Sequence, residues 1–380
     1  MIYENEITEV IRTSEGYLAK NKATGRYLKI GVREAKYLCS LLDSDALDAE
    51  EAPELDEEEK EYLKKAYDDF GLTGKEPVET KRHMSDKILF VFGKNSAYCN
   101  LIKLCSHLVS RTGVILFIIA AVSAGICVNK YDDIYLDSLK AAADIIRPGS
   151  VIIFYGMFVI SGFIHETAHI SACFRFTGCI GMTGVKLYFC IPAFFADVND
   201  IYRSDNKRHK IIVSLIGIIS NIMLACISFA VVPFVSDKMR TYLVIFVAYN
   251  ISAAIFNLIP FAKYDGYWII QNISGVNNLY DRSMALFMIL FTRPTSFIRS
   301  KEKNKIVMTI YGCMCYVFSL YLWYVFVRAV FTLTDTVGVG ADTELIIRIW
   351  GILLAVYGCV TYTKKYLKKG MVYGEKVITD

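Results

Sequence analysis

The sequence predicts a mainly α-helical, polytopic membrane protein that begins with a small α+β domain. Of its 380 residues, 54% are hydrophobic, and the mean hydropathy is +0.37. These values are too apolar for an ordinary soluble protein of this size. The apolar residues also fall into long runs, and about 20 such residues are enough for a helix to cross a bilayer. A lipid bilayer is therefore the expected surrounding, and the modest net charge of +4 gives no indication of a nucleic-acid partner.

Six runs of the chain are apolar and long enough to span a membrane. They lie at about 113–128, 151–172, 211–234, 242–262, 306–331 and 344–363. A seventh run, 284–292, is too short to cross, so we expect it to dip into the membrane or to be buried in the protein.

The loops between these spans differ in positive charge, which predicts their orientation. On one side, the loops hold six, seven and five Lys and Arg residues, in 173–210, 263–305 and 364–380. On the other side, they hold three, two and none, in 129–150, 235–241 and 332–343. Because Lys and Arg favour the cytoplasmic side, both termini are expected in the cytoplasm, in a multi-pass protein of the cell membrane. The N-terminal residues also lack the pattern of a cleaved signal peptide.

Residues 1–75 have the composition and pattern of a separate soluble domain. Short strands are predicted around turns at 14–16 and 22–25. A helix with apolar residues at helical spacing follows. After a strongly acidic stretch, a last helix is predicted to end at Gly71.

Residues 76–112 are predicted to form a linker and then an amphipathic helix at the membrane interface. The apolar face of that helix would carry Leu101, Leu104, Cys105 and Leu108.

The sequence HETAH, inside the second predicted span, is the strongest sign of chemistry in the chain. His165 and His169 are four residues apart and share one helix face, with Glu166 roughly 100° around the helix. Ionisable groups inside an apolar span are costly, so they indicate a function. The spacing is that of two imidazole ligands for Zn²⁺ with a neighbouring carboxylate as general base. The sequence therefore predicts a zinc hydrolase whose site lies within the membrane.

A catalytic zinc site needs a third protein ligand, and the best candidate is Asp265. It lies at the cytoplasmic end of the fourth predicted span, where Pro260 and Asn257 interrupt the helix just before it. Broken helices at membrane depth are tolerated where they line a cavity or are buried in protein. Asp197 is the alternative third ligand, whereas Cys173 is expected to be a packing residue.

These motifs together resemble the site-2 protease family of intramembrane zinc metalloproteases. The resemblance covers about 113–270, and Asn257, Pro260, Asp265 and Gly266 stand at the spacing of the family's second motif. It implies a catalytic core of residues 113–270 in which His165, His169 and Asp265 bind Zn²⁺ and Glu166 is the base. It implies that Asn257 holds the substrate or the oxyanion, and that residues 271–380 are C-terminal helices and a cytoplasmic tail.

The segment between the motifs resembles the membrane-embedded β-hairpin of the same family, closest to its peptide zinc metalloprotease branch. Within it, VKLYFCI is interpreted as an edge strand, to which an unwound substrate could pair before its peptide bond is attacked. Simple re-entrant packing is the alternative. A Gly-x-x-x-Asn pair at Gly217 and Asn221 matches a looser motif of the family.

Residues 1–75 resemble the PqqD-like domain, a winged-helix-like module that recognises leader peptides. The pattern of paired strands, the ATGRYLKI hairpin and the two helices carries this resemblance. It implies a module that takes up a peptide as an additional strand against a helix.

We therefore expect a zinc endopeptidase that cleaves a ribosomally made precursor peptide during maturation or export, with a peptide-modifying enzyme or an exporter as a possible partner. One alternative is regulated cleavage of a membrane-anchored signalling protein. Another is a non-proteolytic chaperone, immunity or export factor with a vestigial metal site.

Overall fold

The computed structural model describes residues 3–13, 16–42, 55–74, 88–92, 95–145, 151–188, 191–300, 302, 304–337 and 340–379. The chain divides into two compact units, Met1–Ile255 and Phe256–Asp380. The acidic stretch that precedes the last helix of the N-terminal domain falls largely outside the described residues.

Five of the described helices are long and apolar enough to cross a membrane. They are Arg111–Lys130, Lys207–Phe234, Asp237–Leu258, Lys305–Asp335 and Ala341–Met371. The chain is thus a mainly helical membrane protein with a small strand-rich N-terminal region. The helix with the HETAH motif is not among these five, so the count of six spans stays a prediction.

The N-terminal region is a four-stranded antiparallel sheet with two helices. Its strands lie in chain order: β1 (Tyr3–Glu4), β2 (Thr8–Thr13), β3 (Gly16–Asn21) and β4 (Tyr27–Ile30). Helices α1 (Val32–Leu41) and α2 (Glu57–Phe70) pack on one face, where Val10 and Ala19 share a core with Leu38 and Tyr67.

Helix α2 has well-defined ends. Asp56 accepts a hydrogen bond from the backbone of Glu59 at 2.7 Å, and the Glu59 carboxylate accepts one in return from the Asp56 backbone. Gly71 ends the helix in the left-handed conformation at φ 73°, as the sequence predicts.

A second sheet contains three strands, in the order β5 (Ile88–Val91), β6 (Thr183–Tyr188) and β7 (Ile191–Ala196). The prediction that VKLYFCI is an edge strand is wrong, because β6 is the central strand. On one side, β6 pairs with β5, and Phe90 lies opposite Val185. Strand β5 lies in the stretch that was predicted as a linker. The edge strands of this sheet are β5 and β7.

The first unit also contains the HETAH helix and further helices, the last of which continues into the second unit. They are α3 (Ser96–Ser106), α4 (Arg111–Lys130), α5 (Asp132–Ile145), α6 (Val151–Thr177), α7 (Lys207–Val231) and α8 (Asp237–Leu258). Helix α6 carries HETAH, and α8 ends four residues before the end of the predicted fourth span.

Helix α3 forms where the interfacial helix was predicted, and its two faces have different surroundings. Tyr98 and Ile102 share a small core with Ile170 of α6. Leu101 and Leu104, from the predicted apolar face, are exposed at the surface of the protein. The predicted apolar stripe is therefore not the face that packs on α6.

The second unit is a helical bundle. Its helices are α9 (Asp265–Ser274), α10 (Leu279–Thr292), α11 (Pro294–Arg299), α12 (Lys305–Val337) and α13 (Ala341–Thr379). Met284 and Leu286 of α10 are fully buried in a core shared with Cys315 of α12 and Tyr366 of α13. The first part of the short apolar run, 284–289, is therefore buried in protein, one of the two predicted alternatives, whereas Leu290 and Phe291 are exposed.

A buried polar contact fixes α6 against α8. The Ser161 hydroxyl donates to Oδ1 of Asn250 at 2.7 Å, and Nδ2 of Asn250 donates to the Phe246 carbonyl at 2.9 Å. Both side chains are almost completely buried. Since unsatisfied polar groups are expensive in an apolar interior, this contact should hold the two helices in one register.

We expect Ser161→Ala to destabilise the protein by roughly 1–3 kcal/mol, because it leaves the buried Asn250 oxygen without its donor. Ser171→Ala is the matched control, since the buried Ser171 hydroxyl donates to the Thr167 carbonyl of its own helix. Thermal unfolding in detergent should show a lower midpoint for Ser161→Ala than for the control. Equal midpoints would contradict a role for the Ser161–Asn250 contact.

Candidate metal centre

Two histidines of α6 face the same point. Their Nε2 atoms are 3.2 Å apart, and their rings are inclined at 77° with centroids 4.8 Å apart. Both side chains are buried, with 8% of His165 and 6% of His169 exposed. The spacing of four residues on one helix produces this convergence.

The tautomer of His169 follows from its neighbour on α7. Its Nδ1 lies 2.6 Å from the carbonyl oxygen of Val213. A carbonyl only accepts hydrogen bonds, so Nδ1 carries the proton and donates it. The lone pair is then on Nε2, the atom turned towards His165. Such a bond from the second ring nitrogen is the usual way in which proteins orient a metal-binding histidine.

The separation of the two Nε2 atoms fits a zinc ion. With Zn–N bonds of 2.0–2.1 Å and tetrahedral angles, two ligand nitrogens should be about 3.3 Å apart. The observed 3.2 Å is close to this value.

Gly217 of α7 keeps the space in front of the two nitrogens open. A Cβ atom at this position would lie 2.3 Å from Nε2 of His169 and 2.8 Å from Nε2 of His165. A methyl group there would occupy the region that a bound ion needs. The sequence indicated Gly217 only as part of a loose motif, and its role depends on a contact between two helices.

One turn after Gly217, the Asn221 side chain is also buried. Its Oδ1 atom has no hydrogen-bond partner among the described residues, and 2% of the residue is exposed. Val213, Gly217 and Asn221 are spaced by four residues, so they line one face of α7. Glu166 follows His165 directly on α6 and is half-buried.

Strand β7 runs beside α6 just before the histidine pair. The Phe194 ring packs edge-on against Phe163 at 5.7 Å and lies over Gly162. Strand β7, one edge of the second sheet, is thus within one helical turn of His165.

Cys173 and Asp197 both make contacts with neighbouring parts of the fold. Cys173 is fully buried against Ala172, Ile201 and Val213, as expected of a packing residue. The Asp197 carboxylate accepts a hydrogen bond from the Asn199 backbone at 3.0 Å. Burial raises the pKa of Asp197 above its usual value of 3.8.

In the second unit, the predicted Asp265 motif forms a tight turn between two helices. Asn257 lies in the last turn of α8, and Asp265 is the first residue of α9 and half-buried. A Cβ on Gly266 would lie 2.2 Å from the Leu258 carbonyl oxygen, so only glycine permits this approach. Helix N-termini favour carboxylates, which suits an aspartate at this position.

The turn itself is held by two contacts from the bundle. The Tyr311 hydroxyl of α12 donates to the Pro260 carbonyl at 2.5 Å. The Lys263 ammonium pairs with Asp281 of α10 at 2.8 Å. These contacts hold the backbone from which the Asp265 side chain extends.

Comparison of the chain with protein-family models, with curated proteins and with solved structures finds no match.

We expect Gly217→Ala to reduce zinc affinity at least tenfold, because its methyl group would contact both Nε2 atoms. Gly156→Ala is the matched control on α6, since a Cβ there meets nothing within 4 Å. Zinc bound per purified protein, measured at several free zinc concentrations, gives the comparison. If Gly217→Ala bound zinc as tightly as the control, the space in front of the histidines could not be the metal position.

Proposed function

We propose that this protein is an intramembrane zinc endopeptidase that cleaves a ribosomally made precursor peptide during maturation or export. The observation that carries the proposal is the buried histidine pair of α6. Its two Nε2 atoms are at zinc-ligand separation, one ring is oriented by a carbonyl of α7, and a glycine leaves room for the ion. All three features suit a pair of metal-binding histidines.

Asp265 is proposed as the third ligand. It belongs to the second unit and stands at the spacing from Asn257 and Pro260 that the sequence motif predicts. Two imidazoles and one carboxylate are a donor set typical of catalytic zinc, which leaves a fourth position for water or substrate. The rigid turn around Gly266 supports the assignment, since a metal ligand needs a fixed backbone.

Glu166 is proposed as the general base and acid of the reaction. When bound, zinc would lower the pKa of water and polarise the peptide carbonyl. Glu166 would accept the proton of the attacking water and return it to the nitrogen of the leaving amine. Asn257 would hold the substrate backbone or the oxyanion by hydrogen bonds from its amide group. Burial of the site would strengthen each of these interactions.

The N-terminal sheet and helices suggest the substrate class. A short sheet with an available edge beside a helix suits the capture of a peptide as an added strand. A leader peptide would then be held by the soluble domain while the adjoining segment reaches the protease. Cleavage of a signalling protein, or a non-proteolytic role, are the alternatives that the experiments below distinguish.

The proposed setting is the cell membrane, with both termini in the cytoplasm and α6 as a sixth span. Five other helices have the length and composition of membrane spans. The Lys and Arg distribution of the loops supports this orientation. In it, the zinc site would lie in the cytoplasmic half of the bilayer.

We expect Glu166→Gln to slow cleavage by about 10²–10⁴-fold, the usual contribution of a general acid–base group, while zinc binding is retained. Cells that naturally carry the protein would be compared with wild-type, Glu166→Gln and Glu57→Gln, an exposed control. Mass spectrometry of membrane-associated peptides should show one precursor accumulating only with Glu166→Gln. An unchanged peptide profile with a stable variant protein would argue against proteolysis. A signalling protein, in place of a short precursor, would favour the first alternative.

We expect Asp265→Ala to weaken zinc binding by more than about 100-fold, the upper range for losing an outer-sphere partner of a metal ligand. Asp237→Ala is the control, since Asp237 is an exposed residue at the start of α8. Zinc content of the purified proteins would be measured by elemental mass spectrometry. If Asp265→Ala retained as much zinc as the wild-type protein, another residue would have to be the third ligand. If the wild-type protein contained no zinc, a non-proteolytic role would be favoured.

A further inference from the structure

The face of the N-terminal sheet turned away from α1 and α2 carries a row of polar residues. Glu9, Lys20 and Tyr27 are direct cross-strand neighbours on β2, β3 and β4. Glu9 is only 3% exposed, although no residue of α1 or α2 can cover this face. A row of charged groups on a sheet would normally be solvated, so this face needs a covering partner.

That partner is a short 3₁₀ helix, Asn199–Arg203, which lies between β7 and α7. The Lys20 ammonium pairs with Asp200 at 2.5 Å, and the Tyr27 hydroxyl donates to the same carboxylate oxygen. Arg203 donates to the Glu9 carboxylate at 2.5 Å and to the Tyr27 hydroxyl oxygen at 2.9 Å. These five side chains form what we call the docking network.

The docking network joins groups that would be costly to bury alone. Asp200 is 6% exposed, and both acids have a basic partner. Burial would raise the pKa of Asp200, but hydrogen bonds from Lys20 and Tyr27 outweigh it and hold that pKa below its usual 3.8. Removal of one partner from such a buried set leaves an uncompensated charge, which is strongly unfavourable.

The 3₁₀ helix is itself part of the frame around the histidines. Ile201 packs with Ala172 of α6 and Val213 of α7. Before it, the Asp197 backbone donates to the Met182 carbonyl at 2.8 Å and closes the base of the β6–β7 hairpin. The Gly25 turn of the N-terminal sheet lies directly against the Asp197 side chain, since a Cβ there would be 2.5 Å from Oδ2.

We propose that the docking network fixes the N-terminal sheet on the protease core and thereby sets the length of precursor between the recognised segment and the cleaved bond. The inference deepens the proposed function and rests on it. A domain on a flexible tether would present its peptide over a wide range of distances, whereas a docked domain presents it at one.

The number of precursor residues between the recognised segment and the cleaved bond can be estimated from the positions of the two sheets. Strands β4 and β7 are each at the edge of their sheets. Tyr27 begins β4, and its partner Asp200 is four residues after Ala196, the last residue of β7. Four residues extend at most about 14 Å. Beyond them, the side chains of Asp200 and Tyr27, which contact each other, span the distance to β4. A peptide that pairs with one edge should therefore reach the other within on the order of ten residues.

Hydrogen exchange of the full-length protein in detergent tests the docking without any substrate. In Asp200→Asn, the amides of β4 and of 197–203 should exchange at least tenfold faster than in the wild-type protein. Glu4→Gln is the control, because Glu4 pairs with Lys22 within the domain at an exposed site. Tyr27→Phe, which removes one hydroxyl group, should give a smaller change in the same segments. Wild-type exchange in both variants, or an equal increase throughout α1 and α2, would overturn the proposal.

The spacing is tested with the precursor that accumulates with Glu166→Gln, made synthetically with two residues inserted before the cleaved bond. The wild-type protein should cut at the same distance from the recognised segment, two residues before the original bond. Asp200→Asn should cut at several positions. Cutting of the original bond by the wild-type protein would overturn the spacing role. Failure of the wild-type protein to cut any peptide would refute the protease assignment and with it the spacing role, while hydrogen exchange would still decide the docking.

Discussion

The close approach of α7 to α6 is the constraint on which the candidate metal centre depends. Val213 and Gly217 are one turn apart on α7 and have complementary effects. The carbonyl of the first orients His169, and the missing side chain of the second leaves space between the two imidazoles. Glycine inside a helix costs about 1 kcal/mol relative to alanine. That cost is tolerable here because packing against α6 and not local propensity determines where α7 lies.

Much of the site could be predicted from local sequence, because its parts are short motifs on single elements. The positions of His165 and His169 on one face follow from a spacing of four, and the Asp265 turn follows from Pro260 and Gly266. The role of Gly217 could not be predicted in this way. It depends on which two helices meet, and no local pattern contains that information.

The error on the second sheet has a similar origin. The pattern of VKLYFCI is that of a strand, but its position in the sheet depends on pairing with β5, about ninety residues earlier in the chain. Strand pairing of this kind is set by tertiary structure, and a segment with few periodic signals is easily taken for a linker.

The docking network combines two acids and two bases, so it carries no net charge. Buried pairs are screened by salt much less than exposed ones, and a neutral cluster gains little from an anionic lipid surface. Its strength should thus vary little with ionic strength or lipid composition, in contrast to the exposed Glu4–Lys22 pair. A membrane enzyme that recognises its substrate through a docked soluble domain would keep the same geometry as the charge of the surrounding leaflet changes.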